Sequence, residues 1–317
     1  MPHNGGMDEF SFLPAQAAAI DAPVPPVRRL SFPLADGRTV SALQYGDAAT
    51  GAFPSPEVTF LHGAGLNAHT WDTTILALGR PALSVDLPGH GDSSWRADGS
   101  YTAATLAPDV ARALAEWTDA PQVLVGQSLG GLTAASLAAT HPELVRQLVV
   151  VDITPGIDPD GDARQIAAFF AGPTDWASRD ELTDRAVSFG LGGSRESAAR
   201  GVFLNSRVRE DGRVEWKHHF AHLANALAAD ADAAGAAQAH QRALRGVLAA
   251  SGWEDLAAVT APITLVRGER GFVTAKDADD FRARVPEATI AVVPAGHNVQ
   301  EELPVALAAL VGDVADD

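Results

Sequence analysis

The chain contains no cysteine. That excludes a disulfide framework, a thiol nucleophile and any thiolate-ligated metal. Positive charge is also scarce: 23 Lys and Arg stand against 40 Asp and Glu, for a formal net charge of −17. A polyphosphate would meet repulsion rather than a basic face, so no nucleic-acid partner is expected. No window reaches about 18 uninterrupted apolar residues, so no membrane span is expected either. Met1 to Ile20 lacks a basic leader followed by a continuous apolar run. The expected location is therefore the cytoplasm.

Hydrophobic residues make up 46% of the 317 positions, enough for one large domain or a core carrying an insertion. The most informative stretch is Val123-Leu-Val-Gly-Gln-Ser-Leu-Gly-Gly131. An apolar strand-type run enters a G-x-S-x-G turn, Gly126-Gln-Ser-Leu-Gly130, and a small-residue helix leaves it. In such an elbow Ser128 sits at the tip of a strained strand-to-helix turn. A side chain at 126 or 130 would collide with neighbouring backbone, and the helix start favours negative charge developing near the serine. The motif alone also fits any Gly/Ser-rich turn; the flanking strand and helix are what give it weight.

A second turn follows the short apolar run Val58-Thr-Phe-Leu61: His62-Gly63-Ala64-Gly65. A glycine-rich turn at a strand end can aim a backbone N–H at a substrate oxygen. Ala64, with Gly63 as the fallback, and Leu129, next to Ser128, are the expected oxyanion donors. His297 lies in Pro294-Ala-Gly-His297-Asn, just past the last apolar run, Ala288 to Val293. An imidazole there can take and return a proton near neutral pH. Asp86 and His90, in Asp86-Leu-Pro-Gly-His-Gly-Asp-Ser93, are of catalytic type, but turn and capping roles already account for them.

From Val27 to Asp152, strand-type runs and helical patterns alternate (Leu106, Val110, Leu114 and Trp117 share a helical face), which predicts a mostly parallel sheet. Ser128, His62-Gly63 and Asp152 all fall at strand ends, where such sheets bind ligands. From Thr154 to about Asp255 the alternation stops. This stretch is expected to be a largely helical lid, whose aromatics (Phe169, Phe170, Trp176, Phe189, Phe203, Trp216 and Phe220 among them) mainly form its own core. His218, His219 and His222 offer only one helical-spaced pair and no completing acid, so no metal site is expected. Ala228 to Gln238 is of low complexity, a solvated helix or linker. Pro23, Pro25 and Pro26 mark 1–26 as a loosely held N-terminal arm. The expected organisation is the arm at 1–26, a core at 27–153 and 257–317, and a cap at 154–256.

Four motifs in this order resemble the α/β-hydrolase superfamily: His62-Gly63-Ala64-Gly65, Asp86 to Ser93, Gly126 to Gly130, and Gly296-His297. The resemblance implies an α/β-hydrolase fold with a helical cap, nucleophile Ser128, base His297, an oxyanion hole from Ala64 and Leu129, and no cofactor. Serine at 128 argues against the aspartate-dependent epoxide hydrolases and dehalogenases. The third member departs from the usual pattern. Most relatives carry the acid a few residues beyond the strand Ile263 to Arg267, where this chain has Gly271 or Phe272. Asp152, at the end of the strand after the nucleophile helix, is the expected acid; Glu269 and Asp277 are the alternatives.

The expected activity is hydrolysis of a carboxylic ester or lactone in a neutral, fairly apolar small molecule through an acyl-enzyme. The early acid and large lid resemble zearalenone-type lactonases. Carbon–carbon bond hydrolysis by the same residues, and a non-catalytic ligand receptor on this fold, are the rival readings. Homo-oligomerisation is left open.

Overall fold

The computed structural model describes residues 8–157, 173–189, 191–223 and 252–317. Phe169, Phe170 and the Ala228 to Gln238 stretch lie outside the described residues.

The main sheet comprises β1 (Val27–Pro33), β2 (Thr39–Tyr45), β3 (Val58–Leu61), β4 (Ala82–Asp86), β5 (Gln122–Gln127), β6 (Val145–Val151), β10 (Ile263–Gly268) and β11 (Thr289–Val293). Their spatial order is β1-β2-β4-β3-β5-β6-β10-β11. β1 and β2 form an antiparallel hairpin, and β2 meets β4 antiparallel. From β4 to β11 every neighbouring pair is parallel. The sequence reading of a mostly parallel sheet is therefore correct. β3, β4 and β5 are buried along their whole length, which is why they read as continuous apolar runs rather than alternating ones.

Side-chain alternation along these strands feeds two cores. Leu124, Leu148 and Val150 point to one face and pack with Leu106, Val110 and Leu114 of helix α3 (Ala103–Trp117) and Leu132 and Leu137 of α4 (Leu129–Thr140). Val123, Val125, Val149 and Val151 point the other way. They meet Ile75 and Leu76 of α2 (Asp72–Leu78) and Leu307 and Val311 of the terminal helix Pro304–Asp316. Each such side chain contributes about 1.5–3 kcal/mol on full burial, so both faces anchor the strand ends firmly.

One expectation needs correction. From residue 8 onward the N-terminal segment is not loosely held: Glu9–Phe12 is a 3₁₀ turn and Leu13–Ala19 is helix α1. Leu13 and Ala17 are only 2% and 1% exposed in the second core. The prolines at 23, 25 and 26 prevent sheet pairing only locally, while Phe10, Leu13, Ala17 and Ile20 repeat at helical spacing and supply a buried face. The segment between β6 and β10, expected to be largely helical, also holds strands among its described residues. Beside the helices Arg179–Ser188 and Arg195–Asn205 it holds an antiparallel sheet of β7 (Asp175–Trp176), β9 (Val214–Trp216) and β8 (Ser206–Val208), in that order. Trp176, Trp216, Leu182 and Val202 fill a small separate core there, with Phe189 packed against it.

Candidate active site

Ser128 sits at the end of β5 and caps the start of α4, with φ 53° and ψ −122°. Positive φ is costly for a residue with a Cβ, about 1–3 kcal/mol. The surroundings impose it. Ser128 N–H donates to Val151 O at 3.1 Å, and Ser128 O accepts from Gly131 N at 2.8 Å and Leu132 N at 3.1 Å. Cβ atoms at Gly126 and Gly130 would overlap the Gly130 and Leu61 carbonyls, so the elbow closes only with glycine at both places.

Asp152 follows β6, is fully buried, and is itself held at φ 49°. Its Oδ1 accepts from Gly268 N–H at 3.0 Å, and its Oδ2 accepts from Phe272 N–H at 2.6 Å. The same Oδ2 pairs with His297 Nδ1 at 2.8 Å. A buried carboxylate is thus satisfied by two main-chain donors and one imidazole. Ser128 and His297 line a common cavity of about 650 Å³.

The alternative acids are placed elsewhere. Glu269 is exposed. Asp277 closes a capping box with Thr274 at the start of the helix Ala275–Arg284. At Gly271 a Cβ would overlap the Asp152 carboxylate, so this loop brings bare backbone against an acid instead of carrying one.

The turn after β3 stands beside the serine. A Cβ at Gly63 would lie 3.2 Å from Ser128 Cβ and would overlap the Gln127 side chain. His62 Nε2 accepts from Leu87 N–H at 3.0 Å, which leaves Nδ1 to donate to Gly63 O at 2.8 Å. Burial lowers the His62 pKa, so the ring stays neutral in that role. With the Gly63 carbonyl fixed, the trans peptide directs the Ala64 N–H the opposite way. Among the described residues, neither the Ala64 nor the Leu129 N–H has a hydrogen-bond acceptor. Asn205, at the end of the helix Arg195–Asn205, donates to Gly65 O at 2.6 Å and ties this turn to the segment between β6 and β10.

Asp86 and His90 are support. Asp86 accepts from Ala68 N–H at 2.8 Å and Asp92 N–H at 3.1 Å and pairs with Arg29 at 2.7 Å. His90 is buried against His62, and burial holds its pKa well below the usual imidazole value. The histidines at 218, 219 and 222 pack among aromatic rings. His218 stacks on Trp216, His219 stacks on Trp95 and meets Tyr101 Oη at 2.7 Å, and His222 lies 3.6 Å from Glu215. Burial pushes His218 down to about 3. They serve as an aromatic joint between the β6–β10 segment and the loop after β4, reinforced where Trp95 Nε1 donates to Lys217 O at 2.6 Å.

Sequence reasoning missed Phe272, whose ring stacks on His297, and Asn205. It also missed His69, which lines the cavity between two carboxylates: Asp72 at 3.1 Å and Glu9 at 3.2 Å. Burial opposes a charge on His69, but the two acids outweigh it and raise its pKa to about 9.

The elbow, the paired Asp and His, and the sheet order define a hydrolase fold. Residues 56–304 match the sequence model of the alpha/beta hydrolase fold, and the chain belongs to that family. It is 37% identical to Esterase Rv0045c of Mycobacterium tuberculosis over 321 residues, covering 98% of this chain and 97% of that protein. A solved structure of that mycobacterial esterase superposes with a TM-score of 0.77 at 36% identity, covering 98% of this chain and 100% of the other. The structure of E-2-(acetamidomethylene)succinate hydrolase, at 22% identity and TM-score 0.72 over 92% of this chain and all of the other, shares the fold. Among the described residues, no helix is long and apolar enough to cross a membrane.

Proposed function

We propose that the chain hydrolyses carboxylic esters of neutral small molecules through an acyl-enzyme on Ser128. The observation that carries this reading is the buried Asp152–His297 pair at 2.8 Å, opening on the cavity that Ser128 shares. The similarity to a named esterase over nearly the whole chain supports the same reaction class.

In this reading Ser128 Oγ attacks the ester carbonyl carbon while His297 takes its proton. Asp152 holds the imidazole tautomer with Nδ1–H toward the carboxylate and stabilises the imidazolium. The Ala64 and Leu129 N–H groups, with Gly63 N–H in reserve, receive the oxyanion. His297 returns the proton to the leaving alcohol, and the C–O bond breaks. Water, deprotonated by His297, then adds to the acyl carbon, and Ser128 leaves with the proton, releasing the acid. The chemistry closes with these side chains, and no cofactor enters a step. The cap contributes Ala198, Val202 and Leu204 to the cavity wall, a surface suited to an apolar acyl or alkyl group. The cap boundaries 154–256, and the core at 27–153 and 257–317, remain part of this proposal.

The test is product mass after incubation with linear esters, macrocyclic lactones and vinylogous diketones, with Ser128→Ala as blank. Ester cleavage into acid and alcohol, absent in the blank, is expected. Gain of one water without fragmentation would make the substrate a lactone. Cleavage of a carbon–carbon bond would replace the ester reading. Turnover retained in folded Ser128→Ala would remove the nucleophile assignment.

A further inference from the structure

We infer that Phe272 is a positioning residue for the base, gripping His297 and Asp152 at once. The inference rests on the reading of His297 as the base.

Phe272 follows the end of β10 by four residues. Its N–H donates to Asp152 Oδ2 at 2.6 Å, the oxygen that also holds His297 Nδ1 at 2.8 Å. Its ring lies flat on the imidazole, with centroids 3.5 Å apart and planes 11° from parallel. One residue therefore contacts the acid through its main chain and the base through its ring face. Gly271 makes this possible, because a Cβ there would overlap the Asp152 carboxylate and hold the loop away.

Two consequences follow from elementary physics. The terminal torsion of a histidine is broad and roughly two-fold, so one hydrogen bond at Nδ1 fixes a point but leaves the ring plane free. A flat ring against its face fixes the plane, and with it the direction of Nε2. Second, the face of a phenyl ring carries the negative end of its quadrupole and attracts a cation within about 6 Å. His297 becomes an imidazolium only as Ser128 loses its proton. The stack therefore favours the charged form over the resting form, a preference that lowers the barrier rather than tightening substrate binding. Phe272 also lines the cavity, alongside His297.

The experiment compares Phe272→Leu, Phe272→Tyr and Phe272→Trp in the full chain. All three keep the main-chain N–H to Asp152. Phe272→Leu keeps apolar bulk but loses the π face. It is expected to lower kcat about 2- to 5-fold with KM nearly unchanged. It is also expected to move the midpoint of the acidic limb of the kcat/KM profile down by about half a unit, the size of one cation–π contact. Phe272→Tyr restores both. Phe272→Trp, with the stronger π face, moves the midpoint up and provides a reading should the leucine variant fold poorly. The same shift is read without turnover by NMR titration of the His297 imidazole in Ser128→Ala, assigned by its loss in His297→Gln. A fall in kcat with the midpoint unmoved would reduce Phe272 to packing and overturn the inference, as would no change in either quantity. Turnover retained in Ser128→Ala would instead remove the nucleophile assignment on which the reading of His297 as the base rests, while the NMR shift would still report the stack.

Discussion

His297 Nδ1 and Asp152 Oδ2 lie 2.8 Å apart although 145 residues separate them in the chain. Between them in sequence stand β10 and β11. The pair forms because β6, β10 and β11 are consecutive parallel strands: Val151 stands beside Val266 and Gly268 beside Val293, so the loops leaving β10 and β11 meet the end of β6. The acid comes from the end of one strand, and its two main-chain donors from the end of the next strand and the loop that leaves it.

Asp152→Asn is expected to lower kcat by about 10³ to 10⁴, because an amide cannot both accept from two main-chain N–H groups and hold the imidazole in the required tautomer. Glu269→Gln, at an exposed position, is expected to leave kcat within about twofold. Steady-state kinetics on both variants separates the two acids. A large loss in Glu269→Gln with activity retained in Asp152→Asn would move the role to Glu269.

Gly271→Ala places a methyl group where the Asp152 carboxylate lies. The loop must retreat, and the bonds from Gly268 and Phe272 stretch with it. The expected result is a loss of about 1–3 kcal/mol in unfolding free energy, together with a kcat loss of at least tenfold. Chemical denaturation and kinetics on the same preparation would show it. A wild-type kcat would mean that the main-chain cradle around Asp152 is dispensable.

The motifs at 62–65, 126–130 and 296–297 were legible in the sequence because each needs glycine at fixed offsets beside a reactive side chain. Asp152 was legible by its place at a strand end. The φ of 53° at Ser128 and 49° at Asp152 was not, since tertiary contacts impose it. Phe272 carried no signal either, because stacking on His297 depends on loops from two different strands. The packed segment from Glu9 to Ala19 escaped notice for a different reason. The prolines at 23, 25 and 26 drew attention, whereas the partners that fix Glu9, namely Arg29 and His69, lie on β1 and just ahead of α2.

That N-terminal network gives a pH prediction. His69 is raised to about 9, so its contribution is full below its unfolded value near 6.5 and fades as pH rises through 9. Glu9 is lowered: burial disfavours its charge, but His69 and Arg29 outweigh that. Its contribution is therefore present above about 4.5 and is lost as pH falls. Both are complete only between roughly pH 4.5 and 6.5. His69→Gln should accordingly cost about 1–3 kcal/mol near pH 6 and much less near pH 10, measured by denaturant unfolding at each pH. An equal cost at both would contradict a charged His69.

The most direct measurement is reaction with a phosphonate ester probe, followed by intact mass and peptide mapping. One adduct per chain on Ser128 is predicted, with labelling strongly slowed in Asp152→Asn and abolished in Ser128→Ala. Folded protein that takes no label, or takes it on another residue, would contradict the assignment of Ser128 as the nucleophile.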